Sequence, residues 1–434
     1  MKSLLGLLFL LFASGCLSAQ AAPDDPDQLF QGAGVTEAPS SGADTVAAQK
    51  SLLKTKDVTL GGRLYSDLTS LAVWPEAYPK AGDPAGSVSQ LIPNLQSDLW
   101  FDARPETDFR VFGKFKLASP FTPTTPAASA IPAAYAPSPV SPTGANVSVF
   151  ELYTDINWDQ KLFLRAGQQV AHWGVGYFFS PADVLSRQRI NPLDPQRERQ
   201  GPLAVKASVP FGGVNTAQLY LLTDPSLAEN CVLRPDDVAV APKVEFVTGD
   251  WEWGVGGYLQ KNQGSKALVT ASGSIAGKLG VYGEAVVQKR TGTGTSDLLS
   301  TVGLNYIDSG DHVALNAQYY FNGPGSDSLT AERGALAALP ASASDQNQMG
   351  RHYLGASAAW TDIRASNIDL GVFYEGNLSD GSGVIGPSAA YSPFTRFTVS
   401  LTPYFAYGEK DSEFVRSFGY TALALKVSIG TGDF

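Results

Sequence analysis

The chain has 434 residues with 41 acidic and 31 basic side chains, a balance that argues against a nucleic-acid partner, because phosphate binding needs a basic face. Its 44 Gly, 17 Tyr, 22 Phe and only 2 Cys are unlike a disulfide-stapled secreted scaffold. After the N-terminus no window approaches the ~20 consecutive apolar residues of a membrane-spanning helix, which excludes a helical membrane protein.

In chain order, Met1, Lys2 and Ser3 precede an apolar run over 4–13, followed by small residues around Gly15, Cys16, Ala19 and Ala21. A positive start, a short apolar stretch and an A-x-A site predict a signal peptide over 1–21, cleaved after Ala21. Ala13, Ser14, Gly15 and Cys16 also make a loose lipoprotein box, with Ala13 in place of the usual leucine, so lipidation of Cys16 is the alternative processing. Residues 22–56 are acidic, rich in Ala, Ser, Gly and Pro, and aperiodic, as in Asp24, Asp25, Pro26 and Asp27. Such a stretch reads as a flexible periplasmic segment, too short and too poor in apolar residues to fold as a plug.

From Asp57 to the end, segments of about ten residues alternate apolar and polar side chains, as strands with one greasy and one wet face do. Examples are 109–117 and 313–321. A soluble sandwich would share that alternation, so the connections decide. Short links fall at 104–106, 157–160, 211–213, 248–250, 277–278, 308–311, 362–366 and 393–395. Longer or more variable ones fall at 75–91, 120–145, 174–200, 224–240, 262–266, 290–297, 323–350, 377–381 and 408–417. Eight short turns at one end and nine loops at the other predict an all-β, transmembrane antiparallel β-barrel over 57–434 with about eighteen strands, short periplasmic turns and longer extracellular loops. The parity requires a strand over 383–392 despite Gly386 and Pro387; without it the chain would end on the wrong side.

Trp and Tyr favour the two membrane–water interfaces. Trp158, Trp251, Trp360 and Phe394 lie beside predicted turns, and Trp74, Trp173, Phe321 and Tyr374 lie where strands meet predicted loops, which suggests two belts. The partners this implies are outer-membrane lipid and the barrel-assembly machinery. The terminal Phe434 suits the machinery's aromatic signal, although Gly430, Thr431, Gly432 and Asp433 lack alternating apolar residues before it.

A charge facing lipid costs roughly 2–4 kcal/mol at the midplane, so strand charges should face the lumen. Parity sends Arg63, Arg110, Lys114, Lys116, Glu151, Asp155, Lys161, Arg165 and Lys206 to the lumen wall, together with Asp67, Asp98, Asp102, Lys243, Glu245, Glu252, Glu284, Asp369 and Lys426. Both signs are present, and Lys114 or Lys116 could pair with Glu151 on the next strand; a wall stiffened by ion pairs is as good a reading as a selectivity filter. A barrel this wide is not filled by its wall side chains. The third loop, 174–200, carries Arg187, Arg189, Arg197 and Arg199 with Asp183, Asp194 and Glu198 among apolar residues that need somewhere to pack. The barrel interior is available to them.

The stretch Leu164, Arg165, Ala166, Gly167, Gln168, Gln169, then Trp173-Gly174, Asn191-Pro192-Leu193-Asp194 and Arg199-Gln200-Gly201-Pro202, resembles the strand–loop–strand signature of large Gram-negative outer-membrane porin-like families. Asn377 to Gly383 is similar to their last strands. The resemblance implies that the loop between strands five and six folds inward as a constriction. It would place Arg187, Arg189, Arg197, Arg199, Asp183, Asp194 and Glu198 at the narrowest zone; the alternative is that these charges fasten the loop to the wall.

His172, His312 and His352 are far apart in sequence and give no metal-site spacing, so no cofactor is expected. Gly292, Thr293, Gly294 and Thr295 precede no helix, and no G-x-S-x-G elbow is present; an enzyme is not expected. The sequence therefore points to an exported outer-membrane channel for passive or weakly selective diffusion of small hydrophilic solutes. A surface-exposed adhesin or an envelope-assembly or export barrel is the competing reading, and the residues do not choose a solute or an oligomeric state.

Overall fold

Eighteen antiparallel wall strands form among the described residues of the computed structural model, and they close into a barrel. Described are residues 51–54, 57–74, 88–118, 146–186, 190, 198–199, 201–223, 235–261, 264–275, 278–289, 295–308, 310, 312–327, 348–410 and 412–434. The strands are β1 (Val58–Trp74), β2 (Val88–Glu106), β3 (Phe109–Ala118), β4 (Asn146–Trp158), β5 (Leu162–Gln168), β6 (Leu203–Phe211), β7 (Asn215–Thr223), β8 (Ala239–Thr248) and β9 (Trp251–Gln260). They continue as β10 (Gly264–Ile275), β11 (Leu279–Lys289), β12 (Ser296–Asp308), β13 (Val313–Asn322), β14 (His352–Trp360), β15 (Ile368–Asn377), β16 (Ser382–Phe394), β17 (Phe397–Tyr407) and β18 (Thr421–Ile429). Each strand pairs with its sequence neighbour, and β18 returns to β1 from Thr421↔Trp74 to Ser428↔Asp67.

The strand that parity requires is β16. Pro387 stands opposite Val372 of β15, but toward β17 the ladder skips from Ile385 to Ala389. A residue without an N–H is tolerated there because no hydrogen bond is asked of it.

The seam explains the irregular chain end. Between Ser428↔Asp67 and Gly432↔Leu64 the last strand advances four residues against three on β1, a β-bulge made possible by Gly430 at φ 69°. Thr431 Oγ1 fills the gap, accepting from the Ser66 amide at 3.0 Å and donating to the Ser66 carbonyl at 3.1 Å. Phe434 then exchanges backbone hydrogen bonds with Gly62 (2.9 and 3.2 Å), and its ring occupies the space a Cβ on Gly62 would need. The missing alternation before Phe434 is thus the bulge itself. Beyond Phe434 the edge of β1 is covered by Ser51–Lys54, paired with residues 59–61, which hides backbone groups that would otherwise be an open edge. The barrel therefore draws in Ser51–Lys54, which the sequence places in the segment before 57; the signal peptide and the rest of that segment lie outside the described residues.

The outer face carries the apolar half of each alternation, with Leu152, Ile156, Leu219, Val255, Val302, Leu315, Leu370 and Leu401 all exposed. Trp158 (69% exposed) and Phe394 stand out from it near the short-turn end. Trp173 does not join an outer belt: β5 ends at Gln168, and the chain has already turned inward, leaving Trp173 2% exposed. In lipid vesicles Val255→Arg should lower folding stability by about 2–4 kcal/mol, measured by denaturant titration; unchanged stability would mean that this band does not face hydrocarbon.

Candidate functional site

The first part of the loop between β5 and β6, residues 169–186, folds into the barrel, and the wall facing it is built to hold it. Glu284 on β11, 4% exposed, accepts at Oε1 from the amides of Val175 (2.5 Å) and Gly176 (2.6 Å) and from Ser180 Oγ (3.0 Å), and at Oε2 from the Ala182 amide (2.8 Å). The approach is so close that a Cβ on Gly174 would overlap Ser180 and one on Gly176 the Phe179 carbonyl. Gln318 on β13 makes a second clamp: Oε1 accepts from Phe178 (2.6 Å) and Phe179 (3.2 Å), and Nε2 donates to the Phe179 carbonyl (2.5 Å) and Thr301 Oγ1 (2.6 Å). Lys243 on β8 donates to the Trp173 carbonyl at 3.1 Å, and Glu151 on β4 accepts from the Val170 amide at 3.1 Å.

The apolar residues of the loop pack where the sequence left them unaccommodated. Trp173, Ala182 and Leu185 bury against Tyr220, Leu222, Ala241, Leu268 and Val286 on β7 to β11. Phe178 and Phe179 join Tyr320, Tyr353 and Val384, with Phe179 stacked on Tyr320 at 5.1 Å between ring centroids. Phe414 and Phe418 complete this second cluster. They come from a short helix, α1 (Glu413–Phe418), in the last outer loop, which the sequence reads as irregular; the spacing of Phe414, Val415 and Phe418 on one helical face was the available signal. Asp380 Oδ2 accepts from the Glu413 amide (2.9 Å), and Glu413 Oε2 accepts from Tyr353 (2.6 Å) and Asn377 (2.8 Å).

Of the predicted constriction charges, three are described. Asp183 is buried and paired with Arg199 at 2.6 Å, with His172 Nδ1 at 3.4 Å and Ser186 Oγ donating at 2.7 Å. Glu198 lies 3.6 Å from Lys114 of the wall. Arg187, Arg189, Asp194 and Arg197 lie outside the described residues. Burial would raise the Asp183 pKa, but His172, Arg199 and Ser186 outweigh it and hold the carboxyl well below the usual aspartate range. Because the folded value is depressed, this anchor contributes fully above the unfolded aspartate pKa of about 3.9 and is lost as pH falls through the folded value. The protection factors of the amides over 172–186, the intrinsic exchange rate at each pH divided by the observed one, should therefore hold steady down to about pH 4 and fall below it, and Asp183→Asn should remove that fall.

The predicted wall residues mostly form one network. Arg110 pairs with Asp102 (2.9 Å) and Asp155 (3.4 Å), Arg165 with Asp155 (2.6 Å), and Lys114 with Asp98 (3.8 Å). Lys114 stands opposite Glu151 across β3 and β4. A bulge there turns Phe150 inward as well, with Lys116 4.4 Å and Lys114 5.4 Å from its ring centre. Arg165 lies 4.0 Å over Tyr153, and Lys206 5.5 Å over Tyr220. Arg63 reaches Asp433 at the seam, 3.5 Å away. Lys161 is the exception and a correction: it lies in the turn before β5, paired with Asp159 and 80% exposed, off the wall. The holding residues Glu284 and Gln318 were not singled out as a site by sequence, because their partners are more than a hundred residues away. His172 sits in the inward loop and His352 beside Tyr319 (2.6 Å); no group of metal ligands occurs among the described residues.

No family model matches the chain, and no curated protein matches it in sequence. Solved structures match its fold. Pseudomonas aeruginosa OpdQ is 9% identical, covering 88% of this chain and 99% of its own, at a TM-score of 0.53. P. aeruginosa OccK9 (OpdG) is 10% identical over 87% and 98% at 0.52, and P. aeruginosa OccK5 (OpdH) 8% over 86% and 98% at 0.52. These neighbours are outer-membrane porins, and the fold of this chain is a closed 18-strand barrel of that type.

Proposed function

We propose that the chain is an outer-membrane channel for passive or weakly selective diffusion of small hydrophilic solutes, with the 174–200 loop narrowing the pore. The observation that carries this is the inward loop stapled by Glu284 and Gln318 to the wall of an 18-strand barrel, a barrel too wide for wall side chains alone to fill. The porin neighbours support the outer-membrane location. Glu198–Lys114 favours the role of fastening the loop to the wall for that loop charge, and Asp183–Arg199 ties the loop to itself. Purified protein in planar bilayers should show discrete, ohmic single-channel steps. A folded, heat-modifiable barrel that does not conduct would overturn the channel and leave a closed surface scaffold.

A further inference from the structure

The inner wall is chemically divided. Among the described residues, five inward cations on β3 to β8, Arg110, Lys114, Arg165, Lys206 and Lys243, are each 9% exposed or less, and the sixth, Lys116, is partly exposed over the Phe150 ring. All five lie against aromatic rings, and the inward loop packs over β6 to β11 beside them. Arg110, Lys114, Arg165 and Lys243 are also matched by carboxylates. A cation buried beside its counter-ion projects little field into water, and solutes do not reach it.

From β14 to β18 the inward positions below α1 are different. Parity with the buried Tyr353, Val384 and Ala406 puts Ser357, Ser388, Thr398, Ser400 and Thr402 on the inner face. All five remain partly exposed although they face the interior. Small hydroxyl side chains on an inner wall stay accessible only where nothing packs on them. The described charges of this sector are few: Lys426 is matched by Asp67 at 3.6 Å, Asp369 lies toward the short-turn end, where it accepts from the Asp362 amide, and Glu375 is buried with the α1 cluster.

Resting on the channel reading above, we propose that the solute path is eccentric, running along the hydroxyl wall of β14 to β18, and that the class it passes best is neutral polyhydroxylated solutes of sugar type. Each wall hydroxyl both donates and accepts, so it replaces the water hydrogen bonds of a sugar hydroxyl one for one. A charged solute on the same path meets hydroxyls and a balanced Lys426–Asp67 pair, and gains no counter-ion for the water it sheds.

The test is swelling of proteoliposomes in ribose against ribonate, with reversal potentials in a KCl gradient. Ribose should enter faster than ribonate, and the unmodified channel should discriminate weakly between K⁺ and Cl⁻. Ser400→Asp should raise cation entry about fourfold and lower anion entry about fourfold, so that the cation-to-anion permeability ratio shifts about sixteenfold toward cations, for one charge ~5 Å from the ion path in a water-like dielectric at low salt. Lys206→Gln should leave the ratio unchanged. To separate selectivity from folding, Ser400→Cys is labelled after folding with an anionic thiol reagent, against the unmutated chain with its own Cys231, and should give the same shift. Faster ribonate entry, or a ratio that moves with Lys206→Gln and not with either Ser400 variant, overturns this path while the channel stands. No swelling and no conductance from folded barrel overturns both.

Discussion

Glu284→Ala should loosen the inward loop and give a larger, noisier pore. One carboxylate serves three backbone amides and the Ser180 hydroxyl, and each donor left buried and unsatisfied costs about 1–3 kcal/mol. The sum, on the order of several kcal/mol, exceeds what the 174–182 stretch can retain in place. The flanking anchors persist, since Trp173 and Leu185 are each 2% exposed and such side chains contribute roughly 1.5–3 kcal/mol apiece. The expected result is local undocking between intact ends: higher single-channel conductance, added open-channel noise and faster hydrogen exchange over 174–182. Glu284→Gln keeps one acceptor but turns an NH2 toward an amide donor, so it should fall between wild type and Ala. Conductance and exchange equal to wild type in Glu284→Ala would show that the apolar packing alone sets the loop.

Asp155→Ala should destabilise the barrel by about 3–5 kcal/mol, the usual cost of removing one partner from a buried ion pair. Asp155 is shared by Arg165 (2.6 Å) and Arg110 (3.4 Å), and both guanidinium groups are largely buried. Arg110 keeps Asp102, and Arg165 keeps the face of Tyr153 at 4.0 Å. Asp155→Asn, which keeps the acceptor and loses the charge, should cost less. Denaturant titrations in vesicles read the difference, and a loss under about 1 kcal/mol would mean that water already screens the pair.

Asp155, Arg165 and Arg110 were legible as inward residues, because period-two alternation with exposed Leu152 and Ile156 on the other face is a local property of β4. Their pairing partners were not: alternation specifies a face, while the pairing of Arg110 with Asp102 on one neighbouring strand and Asp155 on the other depends on register and reach. The loop 174–200 was legible as something that must pack inward, from its apolar content. The pairing of Asp183 with Arg199 within the loop and of Glu198 with Lys114 of the wall is visible only in the tertiary structure.

What the sequence by itself determined is the set of properties that repeat locally: strand periodicity, the turns between strands, the count of eighteen, the end at which the chain stops, and the greasy outer face. Pro387 did not spoil that count, since a strand needs hydrogen bonds only where a neighbour asks for them. What tertiary structure alone decided involves residues far apart along the chain. Glu284 meets its loop from 102 to 109 positions away, and Gln318 from about 140. Phe434 finds its seat on Gly62 through a bulge at Gly430, and α1 is held by Tyr353, Asn377 and Asp380. Closure of the barrel brings these groups together, and no local pattern encodes which distant side chain will stand opposite once the sheet has curled shut.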